Sequence, residues 1–345
     1  MLRLSRAQLE IWMVQHLDPA NPKFNIAEYF EIRGRIDQML FEAALRQVVN
    51  ESDTLNFRFV EYSGELRQIF DPVFNWSIST VDVSTELDPR IVAEAWMKDD
   101  LMRPVDVTNR PLFSFALFRA ASDRYFWYLR FHQIVMDGFS RAIFAQRVAE
   151  VYSQLITCSP KIARRFVPFA SHLQVEKDYL NSTRFKEDRK YWFERFADEP
   201  FPTSFSTSLA GVVASSHFLR ETIYLSPSML NKLDMLANSA GATWIQAVIA
   251  AVSAYAYRIT GASDIILTLP VLGRIGSLSR RIPGMMSNAL PLRLTLHSSM
   301  TLSNLVQQVS TELRQLLRHQ RYRGEDLHRD LHLSSAGRRM GGFST

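Results

Sequence analysis

His132-Gln133-Ile134-Val135-Met136-Asp137-Gly138 places an imidazole, a carboxamide and a carboxylate within six residues, closed by a glycine. An imidazole moves protons near neutral pH, a carboxylate orients it or holds a cation, and an amide donates and accepts hydrogen bonds without taking up a proton. The spacing is equally met by a structural pair at a strand end, His132 with Asp137, for which Gly138 supplies a turn. Both readings stand at this point. His328 and His332 are four apart, one metal-compatible pair, but neither a Cys pair nor a zincin Glu accompanies them. Gly34, Gly211 and Gly261 lie in no phosphate-cradling run, and Ser253 and Ser279 lack a nucleophile elbow. Metal, nucleotide and serine-hydrolase chemistry are therefore not expected.

The heptad needs a strand before it and a helix after it. Residues 112–118 and 125–131 are aromatic-rich and separated by Ala121-Ser122-Asp123, which reads as an antiparallel hairpin, and a helix is expected over 140–156. Upstream, Ser5 is placed to cap a short helix carrying Leu9, Trp12 and Met13. Then come a strand at 27–32, a helix at 37–50, strands at 55–62 and 66–70 joined at Gly64, and a helix at 89–102. A composition rich in Pro, Lys, Arg and Ser over 166–216, enclosing a charged helix at 171–196, separates an N-terminal lobe, 1–165, from a second lobe, 217–345. That second lobe reads as strand 218–225, helices 228–240 and 243–259, strands 264–270 and 288–296, and an amphipathic helix 301–320. From 333 onward no periodicity remains, and a frayed end is expected.

Composition narrows the classes. In 345 residues, 47% are hydrophobic and 12% aromatic, enough for a large core, which excludes disorder. The net charge of +5 comes from 40 basic and 35 acidic residues with no basic run of five, so nucleic acid is not an expected partner. The lone Cys158 excludes a disulfide framework and fits a reducing cytoplasm. Arg3, Ser5, Arg6, Gln8 and Glu10 follow Met1 directly, and no apolar run reaches 18 residues; export and membrane insertion are not expected.

Several motifs in order give a more specific reading. Ser5, Ala7, Gln8 and Trp12 open the chain; Arg110-Pro111-Leu112 leads into the strand before the heptad. Asp188, Arg189, Tyr191 and Trp192 follow, then Asn288-Ala289-Leu290-Pro291-Leu292-Arg293, then Arg318-His319-Gln320. Collinearly from Leu4 to Leu333, the chain resembles the condensation domains of nonribosomal peptide synthetases, whose motifs read HHxxxDG, DxxYW, N-x-LPLR and RHQ. The resemblance implies an α+β fold of two chloramphenicol-acetyltransferase-like lobes in a V, with the second lobe incomplete here. It implies no directly bound cofactor: two carrier proteins present an acyl donor and an aminoacyl acceptor on phosphopantetheine, and an amide is formed. With Met1 four residues before the first motif, the upstream carrier is expected in trans. The last 35 residues hold seven Arg against four carboxylates, a surface expected to steer acidic carriers.

Carried over by the resemblance, the catalytic positions are His132, Gln133, Asp137 and Gly138, with Met286, Ser287 and Asn288 at the substrate and Trp12, Asn56, Arg58 and Arg293 structural. The chain departs from the pattern in three ways. Gln133 stands where the family has its second His, so a general base is missing while orientation of an amine survives. Ser52-Asp53-Thr54-Leu55-Asn56 stands for HExLR, so Asn56 replaces the Arg expected to pair with Asp137, which is left to find Arg58, Arg130 or solvent. The chain is also shorter than the family pattern, which implies a truncated second lobe. An impaired condensation domain, a non-catalytic carrier-docking module and a stand-alone acyltransferase acting on a free amine follow as the expected functions.

Overall fold

The computed structural model describes residues 1–72, 75–109, 111–160, 166–198, 200 and 222–331. In chain order the elements are β1 (Leu2–Arg3), α1 (Arg6–Leu17), β2 (Asn25–Arg33), α2 (Gln38–Glu51), β3 (Phe57–Tyr62), β4 (Glu65–Phe70), β5 (Ser79–Asp82) and α3 (Pro89–Leu101). Next come β6 (Phe113–Ala121), β7 (Arg124–His132), α4 (Gly138–Thr157), α5 (Ala170–Leu180), α6 (Thr183–Arg195), α7 (Pro227–Ser239) and α8 (Trp244–Thr260). The described part closes with β8 (Asp264–Val271), α9 (Gly276–Ser279), β9 (Asn288–Thr295), α10 (Leu302–Arg318) and α11 (Gly324–Asp330).

These elements fall into two compact units, Met1–Asp178 with Arg274–Met286, and Tyr179–Gly273 with Ser287–Thr345. The composition shift at 166–216 marks a single crossing; the first unit's main segment ends inside it, at Asp178, and the unit takes back a late segment, Arg274–Met286. Composition carries no trace of a chain that returns.

In the first unit, four strands lie in the order β2-β7-β6-β5, antiparallel except for the parallel β5–β6 pair. Tyr125, Trp127, Leu129 and Phe131 of β7 join one core with Phe41 and Val48 of α2 and Phe144 and Val148 of α4. Phe126 and Tyr128, on the opposite face, pack with Ala93 and Met97 of α3. A strand covered on both faces needs no polar alternation, which is why β7 reads as a nearly unbroken aromatic run. Arg147 of α4, fully buried, donates from Nε and Nη2 to Glu51 of α2 at 2.8 and 3.0 Å, fixing one helix on the other. A second sheet, β1-β4-β3, turns at Ser63 (φ 53°) and Gly64 (φ 74°), the positive pair that a two-residue I′ hairpin demands.

The second unit packs α8 and α10 on the antiparallel β8–β9 pair around Ile265, Leu267, Leu290, Leu292, Val306 and Val309. Its motif residues interlock: His319 Nδ1 lies 2.8 Å from Asp188 Oδ1, Tyr191 stacks on the His319 ring at 3.9 Å, and Trp192 Nε1 donates to the His319 carbonyl at 3.1 Å. The single helix expected over 171–196 is two, because Ser182 interrupts it and its Oγ accepts the Phe185 N–H at 3.3 Å to cap α6. Of the strand expected at 218–225, residues 218–221 lie outside the described residues and Thr222–Leu225 form no strand. The end expected to fray, 333–345, also lies outside them. No single described helix is long and apolar enough to cross a membrane.

Candidate active site

β7 ends at His132 and α4 begins at Gly138, so the heptad is the link between the central strand and its covering helix. His132 N donates to Leu112 O at 2.8 Å, and Gln133 N donates to Phe24 O at 2.7 Å, which anchors the strand end to both neighbours. The His132 ring is 1% exposed. Its Nδ1 accepts the Ile134 N–H at 3.3 Å, so the ring proton sits on Nε2 and is donated to Gln15 Oε1 at 3.3 Å. Burial, reinforced by the Arg130 charge, depresses the His132 pKa to about 3. A neutral ring with both nitrogens engaged is not an available base. Gln133 is half-buried, and its carboxamide has no hydrogen-bond partner among the described residues.

Asp137 is fully buried and acts as the N-cap of α4, its Oδ1 accepting the Ser140 N–H at 2.8 Å. Its Oδ2 accepts from Arg274 Nη1 at 2.6 Å and from the Met286 N–H at 3.0 Å. Arg274 Nη2 reaches Ser140 Oγ at 2.6 Å and Gly284 O at 3.1 Å, while Ser140 Oγ donates to Gly284 O at 2.9 Å. Carboxylate, the two guanidinium Nη nitrogens, hydroxyl and backbone thus engage one another away from water, which offsets part of the cost of burying the pair.

This corrects the expectation for Asp137: its cation is Arg274, not Arg58, Arg130 or solvent. Arg58 lies 3.8 Å from Asp71, and Arg130 Nε donates to Asp100 at 2.7 Å. Asn56, 1% exposed, uses its Nδ2 on Val49 O at 2.8 Å and Ser52 O at 3.0 Å, closing the end of α2. Its lack of charge leaves Asp137 unaffected. Arg274 was missed because nothing in its neighbourhood, Gly273-Arg274-Ile275-Gly276, carries a period that points at residue 137.

The remaining expected positions separate. Met286 brings its backbone N–H to Asp137, with its side chain packed beside Phe57 and Phe169. In the second unit, Asn288 donates from Nδ2 to Gln320 O at 3.0 Å and Tyr322 O at 2.8 Å, and its Oδ1 accepts the Gly324 N–H at 3.0 Å. A Cβ on Gly324 would meet Ala289 O at 2.1 Å, so the approach that Asn288 ties requires glycine. The Ser287 carbonyl accepts from Arg323 Nη1 at 3.3 Å. Arg293 holds Asp264 and Asp198, each at 2.6 Å, and Trp12 stacks on His16 at 4.8 Å.

Against known proteins, the model of the condensation domain matches residues 1–343. The chain belongs to the condensation-domain family. This condensation domain is 44% identical over 339 residues to the dimodular nonribosomal peptide synthase of Bacillus subtilis (strain 168), and 42% identical over 340 residues to the isonitrile lipopeptide synthase of Streptomyces coeruleorubidus. Each match covers 98% of this chain but only 14% and 23% of those proteins. Among solved structures, a variant of the starter condensation domain of rhizomide synthetase in complex with C8-CoA and Leu-SNAC matches at TM-score 0.90 and 40% identity, covering 99% of this chain and 76% of that one. The first condensation domain of the calcium-dependent antibiotic synthetase, with a substrate analogue, matches at TM-score 0.90 and 35% identity, covering 96% and 78%. The α+β, chloramphenicol-acetyltransferase-like fold expected from the motifs is the fold of these neighbours.

Proposed function

We propose that this condensation domain joins an acyl thioester to the amine of an aminoacyl thioester, at the point where a synthetase takes in its first acyl group. The observation that carries the reading is the likeness to a starter condensation domain crystallised with both kinds of thioester, C8-CoA and Leu-SNAC. The amine nitrogen attacks the thioester carbonyl; the C–N bond forms, the C–S bond breaks, and the departing thiolate takes the proton the amine loses. Gln133 supplies a carboxamide oxygen that accepts an amine N–H and aims its lone pair, so the contribution is orientation of a neutral amine rather than proton abstraction. His132 holds the strand end, and Asp137 with Arg274 holds the start of α4.

Carrier proteins present both groups on phosphopantetheine in the cytoplasm. Within the basic stretch Arg323 pairs with Glu325 at 2.8 Å and Arg329 with Asp326 at 2.7 Å; both carboxylates are already among the four set against the seven Arg, so the net excess that would steer an acidic carrier is unchanged. Arg338 and Arg339 lie outside the described residues.

Gln133 also favours a second reading, a module that docks carriers without joining their cargo. Incubation with octanoyl-CoA and an aminoacyl N-acetylcysteamine thioester, read by mass spectrometry, separates the two: an octanoyl amide supports condensation, and binding of both thioesters without product supports docking.

A further inference from the structure

Gln15 lies in the last turn of α1 and is 3% exposed. Its Nε2 donates to the carbonyls of Asp18, Pro19 and Asn21, each at 3.1 Å, closing the turn that follows the helix. Its Oε1 accepts from His132 Nε2 at 3.3 Å. From that turn, Asn21 Oδ1 accepts the Lys23 N–H at 3.1 Å and starts the short 3-10 turn Pro22–Phe24. Phe24 then receives the backbone N–H of Gln133 at 2.7 Å, and its ring meets that of His132 edge-on at 6.0 Å. The path from Gln15 to His132, along the chain to Gln133, across to Phe24 and back through Asn21 is closed. One buried side chain therefore holds both members of the dipeptide, the ring directly and the next backbone through the turn.

A carboxamide is the group this place needs. Its oxygen accepts the imidazole proton while its two N–H groups are shared among three carbonyls, which a carboxylate or a thioether cannot do. We propose that Gln15 is a positioning residue for the site: it fixes His132 as the neutral Nε2–H tautomer and sets the backbone from which the Gln133 carboxamide projects. The part concerning Gln133 rests on the function proposed above; the part concerning His132 does not.

Nitrogen-15 NMR of the full chain with labelled histidine tests it, the His132 signal being assigned by its loss in His132→Asn. The wild type should show the Nε2–H tautomer with no titration between pH 5 and 8; an Nδ1–H tautomer, or a titration in that range, overturns the proposal. Gln15→Glu keeps the acceptor and adds a charge, so His132 should now protonate within that range; an unchanged spectrum overturns it. Gln15→Met should mix the tautomers and lower kcat for amide formation roughly 10- to 100-fold with KM for both thioesters within about twofold. Unchanged tautomer and rate in Gln15→Met would count against the proposal. If the wild type forms no amide, the condensation reading fails, while the NMR results still decide the role of Gln15 toward His132.

Discussion

Arg274 Nη1 and Asp137 Oδ2 meet at 2.6 Å, 137 residues apart in sequence and with side chains 0% and 1% exposed. The same carboxylate caps α4 and takes the Met286 N–H, so three groups of the fold engage it at once. Removing either partner leaves a buried charge without its counter-ion. Arg274→Met and Asp137→Ala should each lower stability by about 3–5 kcal/mol, and the double variant should cost clearly less than the sum. Urea unfolding measures this; single-variant losses under about 1 kcal/mol would refute the pairing.

A second consequence concerns acid. The folded pKa of His132, about 3, lies below its ordinary 6.5, so between these values the unfolded chain binds the proton that the folded chain excludes. Stability from this group is complete above pH 6.5 and falls as the pH drops, by about 1.4 kcal/mol per unit, until the folded value is reached. Relative to His132→Asn, the wild type should lose about 2 kcal/mol between pH 7 and pH 5. Parallel pH profiles for the two proteins would contradict a buried neutral ring.

The parts of this arrangement that the sequence discloses are those built from neighbours. Aromatic density and the Ala121-Ser122-Asp123 turn predict the β6–β7 pair, found with Phe115 opposite Leu129. Ser5 predicts the start of α1, where it forms a capping box with Gln8. A position such as Asn56 is different: the missing Arg reads as a loss at the site, yet the partner of Asp137 arrives from residue 274, and no local pattern encodes a contact that only a folded chain makes. Short elements, β1, β5, α9 and α11, escape for the related reason that two to seven residues hold too few repeats to show a period.

Gly138 is the first residue of α4, and a Cβ built there meets no atom within 4 Å. Nothing in the fold demands glycine at this place, so the open space is available to a bound group. Gly138→Ala should leave stability unchanged or raise it by up to about 1 kcal/mol, since alanine loses less freedom in a helix. Amide formation should fall by about tenfold or more as the methyl occupies that space. An unchanged rate would mean that no substrate passes there.

Gln133→His places a proton acceptor where the carboxamide stands. It should raise the rate of amide formation by roughly one to three orders of magnitude, as a positioned acid–base group does. Adding Asn56→Arg should bring no further gain, because Arg274 already neutralises Asp137. A rate that rises only in the combined variant would show that Asp137 depends on residue 56 after all.

The proposed reaction forms an amide between two thioester-borne substrates, with the neutral amine oriented at Gln133. Its most direct test is single-turnover mass spectrometry of the unaltered chain with octanoyl-CoA and an aminoacyl N-acetylcysteamine thioester, beside Gln133→Ala and a protein-free control. Octanoyl amide should form faster with the chain than without it, and Gln133→Ala should lower that rate while both thioesters still bind. Product at the protein-free rate from a folded chain that binds both thioesters would contradict the account.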